Sequence, residues 1–205
     1  MMTWKFIKPS AAPRSESVIV VSGLPRSGTS MMMKMLVAGG LKVLTDWLRG
    51  ADENNPKGYF ELEQVKQLPE GDTGWVQTAR GKVVKVISYL LEYLPAEVPY
   101  RVIFMQRDLG EVLASQKRML ERDGKSEGSA SDEQMTELYE KHLKQVEAWM
   151  RRQANLQVLF VSHKVVMQSA LEAAEQVNRF LGGELDTDAM AAVVDPALYR
   201  ERKSD

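Results

Sequence analysis

The sequence predicts an α/β fold, a three-layer sandwich with a central parallel sheet and helices on both faces. Short apolar, β-branched runs such as Val18 to Ser22 and Tyr100 to Gln106 suit strands buried on both sides. They alternate with amphipathic stretches at helical spacing, the order expected when parallel strands are joined by helices. With 205 residues, 44% hydrophobic and 27% charged, the chain has material for one α/β domain with a proper core.

In chain order, residues 1 to 17 carry Lys5, Lys8, Pro9, Pro13, Arg14 and Glu16 and no continuous apolar stretch. They are expected to form a flexible arm rather than a signal peptide, leaving residues 18 to 205 as a single domain. Val18 to Ser22 is the first buried strand. It enters a Gly/Pro/Ser turn and then a helix over Met31 to Val37, stopped by Gly39-Gly40. Leu41 to Leu44 is a candidate short strand. The polar stretch Arg49 to Gly58 precedes a helix over Phe60 to Leu68, expected to stop at Pro69.

Lys82 to Ile87 reads as a strand followed by a short helix to Leu94. Tyr100 to Gln106 leads into a helix from about Gly110 to Leu120, with Asp108 and Glu111 spaced as a capping box. Asp123 to Ser131, rich in Gly and Ser, is a candidate mobile loop or lid. Beyond it Met135, Leu138, Tyr139, His142, Leu143, Val146, Trp149 and Met150 fall on one helical face. Leu156 to Val161 is the next strand, and a helix runs on to Leu181, closed by Gly182-Gly183. Met31, Met32 and Met33 are expected to pack in the core.

Several function classes recede on composition. The net charge of −1 supplies no global attraction to nucleic acid or an anionic membrane, so an anion site must be built locally. No apolar run approaches the ~20 residues of a membrane helix. There is no cysteine, which excludes disulfides, thiolate metal sites and a Cys nucleophile, and suits the cytoplasm. The two histidines, His142 and His163, have no metal-ligand spacing, so no metal site is expected.

The strongest local signal is Gly23-Leu24-Pro25-Arg26-Ser27-Gly28-Thr29-Ser30, placed between a buried strand and a helix. Glycines let the backbone curl so that successive N–H groups point inward, and the helix N-terminus adds its positive end. The hydroxyls of Ser27, Thr29 and Ser30 can donate to phosphate oxygens. The loop differs from that of the nucleoside triphosphatases, which places Lys after the second Gly. Here Thr29 follows Gly28, and the cation has moved forward to Arg26. Lys34, one turn further along, points the wrong way to replace the lysine. Such a loop suits one 5′-phosphate and a leaving group better than a triphosphate with Mg²⁺.

Gly23 to Ser30 followed by Met31 to Leu36 resembles the 5′-phosphosulfate loop of the sulfotransferase superfamily. Val102 to Ser115 resembles that family's 3′-phosphate motif, with Arg107 ending a strand and Ser115 on the next helix. Softer matches are Asn55 to Glu61, seen in bacterial members, and Arg179-Phe180-Leu181-Gly182. The resemblance implies a P-loop-like fold, 3′-phosphoadenosine 5′-phosphosulfate (PAPS) as co-substrate without metal, and a small-molecule hydroxyl or amine acceptor. It places Pro25, Arg26, Ser27, Gly28, Thr29, Ser30, Arg107 and Ser115 at the nucleotide, since a guanidinium grips a phosphate dianion through charge-assisted hydrogen bonds.

Two positions depart from the family pattern. Lys85 matches the lysine of its Lys-x-His strand motif, but Ile87 stands where the histidine would be, and the late Arg-Lys-Gly motif is missing. Arg200, Arg202 and Lys203 are possible substitutes for the latter. The expected catalytic set is Arg26 and Lys85 for electrostatic stabilisation, with Glu61 or Asp46 as base. Glu61 is favoured because the Gly-Tyr-Phe turn before it can hold a carboxylate against an aromatic surface. Its plainer role is to favour the start of the Phe60 to Leu68 helix. His163 is the less favoured base, being distant in sequence from the loop. Trp47, Tyr59, Phe60, Trp75 and Tyr89 are candidates to line an acceptor pocket. The alternatives are a P-loop kinase of a small metabolite, or a nucleotide-binding family member without turnover.

Overall fold

The structure, a computed structural model, describes residues 6–7, 13–46, 60–122, 124 and 131–195. Its sheet has five strands: β1 (Phe6–Ile7), β2 (Val18–Gly23), β3 (Val83–Lys85), β4 (Tyr100–Gln106) and β5 (Leu156–Ser162). They lie in the order β1-β5-β4-β2-β3. The four strands from β2 to β5 are mutually parallel, with Val21 opposite Lys85, Gly23 opposite Met105 and Gln106 opposite Ser162. β1 pairs antiparallel with β5, Phe6 opposite Leu159. Part of the arm expected to be loose thus extends the sheet.

The sandwich follows from alternation along each strand. Val18, Val20, Val102, Phe104, Val158 and Phe160 belong to one core cluster, and Ile19, Val21, Ile103, Met105, Leu159 and Val161 to the other. Successive side chains of a strand point to opposite faces, so an unbroken apolar run implies a sheet covered twice.

The helices are α1 (Thr29–Ala38), α2 (Trp75–Thr78), α3 (Leu109–Arg122), α4 (Asp132–Arg152), α5 (His163–Gln168), α6 (Ala170–Leu181) and α7 (Thr187–Ala192). The first cluster is covered by α4 through Val146 and Met150, by α2, and by two 3₁₀ segments, Glu63–Glu70 and Ser88–Tyr93. The second is covered by α1, α6 and α7; Met32 and Met33 are fully buried in it, and Met31 packs against it. α4 opens with a reciprocal capping box between Ser131 and Gln134.

Some expectations need correction. The helix expected over Phe60 to Leu68 is instead a 3₁₀ segment, Glu63–Glu70, that begins later and runs through Pro69. Leu41 to Leu44 contributes a single bridge, Val43 to Val83, in place of a strand. The helix expected after β5 is two helices broken at Ser169, whose ψ of 65° interrupts the winding. α7 was not anticipated, although Asp186 accepts from Ala189 N as an ordinary N-cap. Leu138, placed on the apolar face of α4, is 56% exposed. Trp47, Tyr59, Arg200, Arg202, Lys203 and most of the Asp123 to Ser131 loop lie outside the described residues.

The chain passes from β2 to β3 on one side and then crosses to β4 on the other. The C-terminal ends of β2 and β4 therefore flank a topological switch point, where open α/β sheets form ligand crevices. The Arg26 loop leaves one of these ends and Arg107 the other.

Candidate functional site

The loop after β2 is shaped by backbone that few residues tolerate. Gly23 has φ 146°, and a Cβ there would lie 2.5 Å from Ser27 Oγ and 2.7 Å from Met105 O. Gly28, at φ 100°, caps α1 and would carry a Cβ 2.7 Å from Cδ2 of His163. Arg26 adopts φ 67°, a left-handed conformation that strains a non-glycine residue. Ser27 N donates to Leu24 O at 3.1 Å, closing the turn. The first turn of α1 holds no acidic residue, so its positive end is not neutralised from within the helix.

Within the loop Pro25 is exposed, Arg26, Gly28 and Ser30 are partly buried, and Ser27 and Thr29 are buried. Ser27 Oγ is enclosed and has no hydrogen-bond partner among the described residues. A buried hydroxyl left this way is costly unless a ligand or water completes it. This enclosed hydroxyl, in a glycine cradle at a helix N-terminus, fits a phosphate or sulfate oxygen.

The two predicted anion motifs meet in space. Arg26 Nε donates to Ser115 Oγ at 3.0 Å, and an Arg107 terminal nitrogen donates to the Arg26 carbonyl at 3.0 Å. Arg107 Nε donates to Glu111 Oε2 at 2.9 Å; the two side chains are 10% and 9% exposed. Glu111, expected from the sequence in a capping box, therefore orients the guanidinium instead. Asp108 caps α3, its Oδ1 accepting from Glu111 N at 3.2 Å, while the Glu111 carboxylate turns to Arg107.

His163 also belongs here, which sequence distance concealed. It starts α5 at the end of β5, is 6% exposed, and packs its ring against Gly28. Its pKa is pushed down to about 4, first by burial and next by the charge of Arg107, with Glu111 opposing. The imidazole is neutral at physiological pH.

On the other side of the loop, Lys85 Nζ lies 3.4 Å from Glu61 Oε1, with the lysine 8% and the glutamate 25% exposed. Phe60, at φ 53° and buried, bends the chain just before Glu61. The Glu61 carbonyl accepts from Thr45 Oγ1 at 2.6 Å. Asp46 Oδ2 accepts from Glu63 N at 2.6 Å, so Asp46 rather than Glu61 serves the start of the 3₁₀ segment. Of the aromatic pocket candidates, Phe60 and Trp75 are core residues and Tyr89 is 40% exposed. Among the described residues no group of three or more His, Asp or Glu is placed to hold a metal ion, and no helix is long and apolar enough to cross a membrane.

A largely parallel sheet with a glycine-rich loop between the interior strand β2 and α1 defines an α/β protein of the P-loop kind. Its solved neighbours make the fold specific: the chain has the fold of two sulfotransferases and a retinol dehydratase. It is similar to sulfotransferase STF1 from Mycobacterium tuberculosis H37Rv, with TM-score 0.59 and 18% identity, over 87% of this chain and 70% of that one. It is also similar to retinol dehydratase, solved with androsterone and the inactive cofactor PAP (TM-score 0.50, 16% identity, 89% of this chain, 64% of that one). A third is the sulfotransferase domain from the curacin biosynthetic pathway (TM-score 0.50, 13% identity, 93% and 90%). No family model matches the chain, and no curated protein does.

Proposed function

We propose that this protein is a sulfotransferase that uses PAPS and delivers to a hydroxyl or amine of a small-molecule acceptor. The observation that carries the reading is the hydrogen-bonded path Ser115–Arg26–Arg107 at the switch point. It joins the loop to the β4–α3 turn, as expected of a site for one nucleotide bearing phosphates at two positions.

In this reading the N–H groups at the start of α1, with Ser27, Thr29 and Ser30, hold the 5′ side of the nucleotide, and Arg26 and Lys85 balance its charge. Arg107, aimed by Glu111, and Ser115 hold the 3′-phosphate. PAPS supplies an activated sulfuryl group when bound. Glu61 accepts the acceptor's proton on its carboxylate beside Lys85. Asp46 is the weaker base, because one of its oxygens already serves Glu63 N. The lack of cysteine supports a cytoplasmic setting.

Two rivals make different predictions. A P-loop kinase requires ATP with Mg²⁺, against which stands Thr29 in place of the loop lysine. A nucleotide binder without turnover is favoured by Ile87 at the position of the family's histidine. Thermal shift with PAP (adenosine 3′,5′-bisphosphate) against ATP·Mg, followed by PAPS-driven transfer to phenolic, sugar and amine panels, separates the three. Stabilisation by PAP with product formed supports the proposal. Preference for ATP·Mg overturns it, and PAP binding with no product on any panel favours the silent binder.

A further inference from the structure

Beside this site, the Ser88–Tyr93 turn and the first half of α4 bring together a cluster with no role in holding the nucleotide. Ser88 Oγ lies 2.9 Å from His142 Nε2. The Tyr89 ring stacks on the His142 imidazole, with centroids 3.7 Å apart and planes 14° from parallel. The three-residue period of a 3₁₀ turn puts Ser88 and Leu91 on its buried row and Tyr89 and Glu92 on another. With one ring face on His142, Tyr89 still has 40% of its surface exposed. Leu138, one helical turn before His142, is 56% exposed and extends the apolar surface.

Burial lowers the pKa of His142, against the opposing charge of Glu92, so the stack is uncharged near neutral pH. Glu92, in line with Tyr89, disfavours an anionic visitor. The cluster lies close to the chemistry. Ser88 is three residues beyond Lys85, a reach of about 10 Å at most. Tyr139, one turn before His142, packs with Leu24 of the phosphate loop. The Ser88–Tyr93 turn also packs against Glu63–Glu70, which follows directly from Glu61.

We propose that Tyr89, held flat by His142 and Ser88, is the platform on which an uncharged, planar aromatic alcohol stacks as acceptor. Tyr89 is thus a specificity-determining residue. Calling the visitor an acceptor rests on the sulfotransferase reading; the stacking itself rests on the geometry of Tyr89, His142 and Leu138.

Calorimetric titration of 2-naphthol, with cyclohexanol as the non-planar control, into the full chain with and without PAP tests both. The expected result is binding of 2-naphthol with cyclohexanol much weaker. Tyr89→Leu is expected to weaken naphthol by about threefold to tenfold, the range of an aromatic pair, while Tyr89→Phe stays within about twofold of wild type. PAP affinity and melting temperature should be the same in all three proteins, which separates lost stacking from lost folding. Equal naphthol affinity in Tyr89→Leu, or no naphthol binding by a chain that binds PAP, overturns the platform. Tyr89-dependent naphthol binding by a chain that ignores PAP upholds the platform and sinks the sulfotransferase reading instead.

Discussion

Acidification gives a direct measure of how His163 is built into the loop. The unfolded chain takes up a proton on this imidazole near 6.5, whereas the folded chain refuses it until about 4. Between those values the unfolded state binds more protons, so stability rises with pH across the window and falls as pH drops through it. Applying linkage to the two pKa values, His163 alone should cost about 2 kcal/mol between about pH 7.5 and 5, and about 3 kcal/mol in the acid limit. The physical source is the charge a protonated ring would bring into a buried position beside Arg107 and under Gly28. The perturbation is His163→Gln, which keeps polar character and removes the titration. Urea unfolding of both proteins across this range should show a shallower pH slope in the variant, by about those 2 kcal/mol. Parallel slopes would refute the argument, since they would mean that His163 titrates alike in folded and unfolded chains.

The proposed nucleotide site yields three more expectations. Arg107→Ala should weaken PAP by about 10-fold to 100-fold, a lost charged hydrogen-bonding pair, and leave adenosine 5′-phosphate nearly unchanged; calorimetry that finds equal losses removes Arg107 from the 3′-phosphate. Glu61→Gln should lower kcat by about 100-fold with PAP affinity intact, the scale of general-base catalysis; full turnover in a stopped assay would pass the role to Asp46 or to no protein group. Gly28→Ala forces a side chain into a left-handed backbone and against His163 Cδ2. It should destabilise by about 1 to 3 kcal/mol and abolish the thermal shift with PAP, and an unaltered melt would show that the loop is free to rearrange.

Much of the fold was legible because its signals are local. β4 spans Tyr100–Gln106, the run read from the sequence, and α3 begins at the cap expected at Asp108. The elements that escaped depend on distant partners. Phe6–Ile7 is a strand only because β5 offers an open edge, and the break at Ser169 lets α5 and α6 pack separately on the sheet. Phe60 and Trp75, proposed for a pocket, are core residues, since an aromatic side chain carries no sequence mark of which neighbour covers it.

The sequence by itself determined that a glycine-rich turn stands between a buried strand and a helix, and that Arg107 follows a second buried strand. Both are statements about neighbours along the chain, written in backbone freedom at Gly23 and Gly28 and in residue spacing. Only the tertiary structure decided that Arg26 reaches Ser115, that Glu111 aims Arg107, that His163 lies against Gly28, and that Lys85 meets Glu61. Those contacts join residues far apart in the chain. Strand order, which aligns the C-terminal ends of β3, β2, β4 and β5 along one edge, is what makes them neighbours.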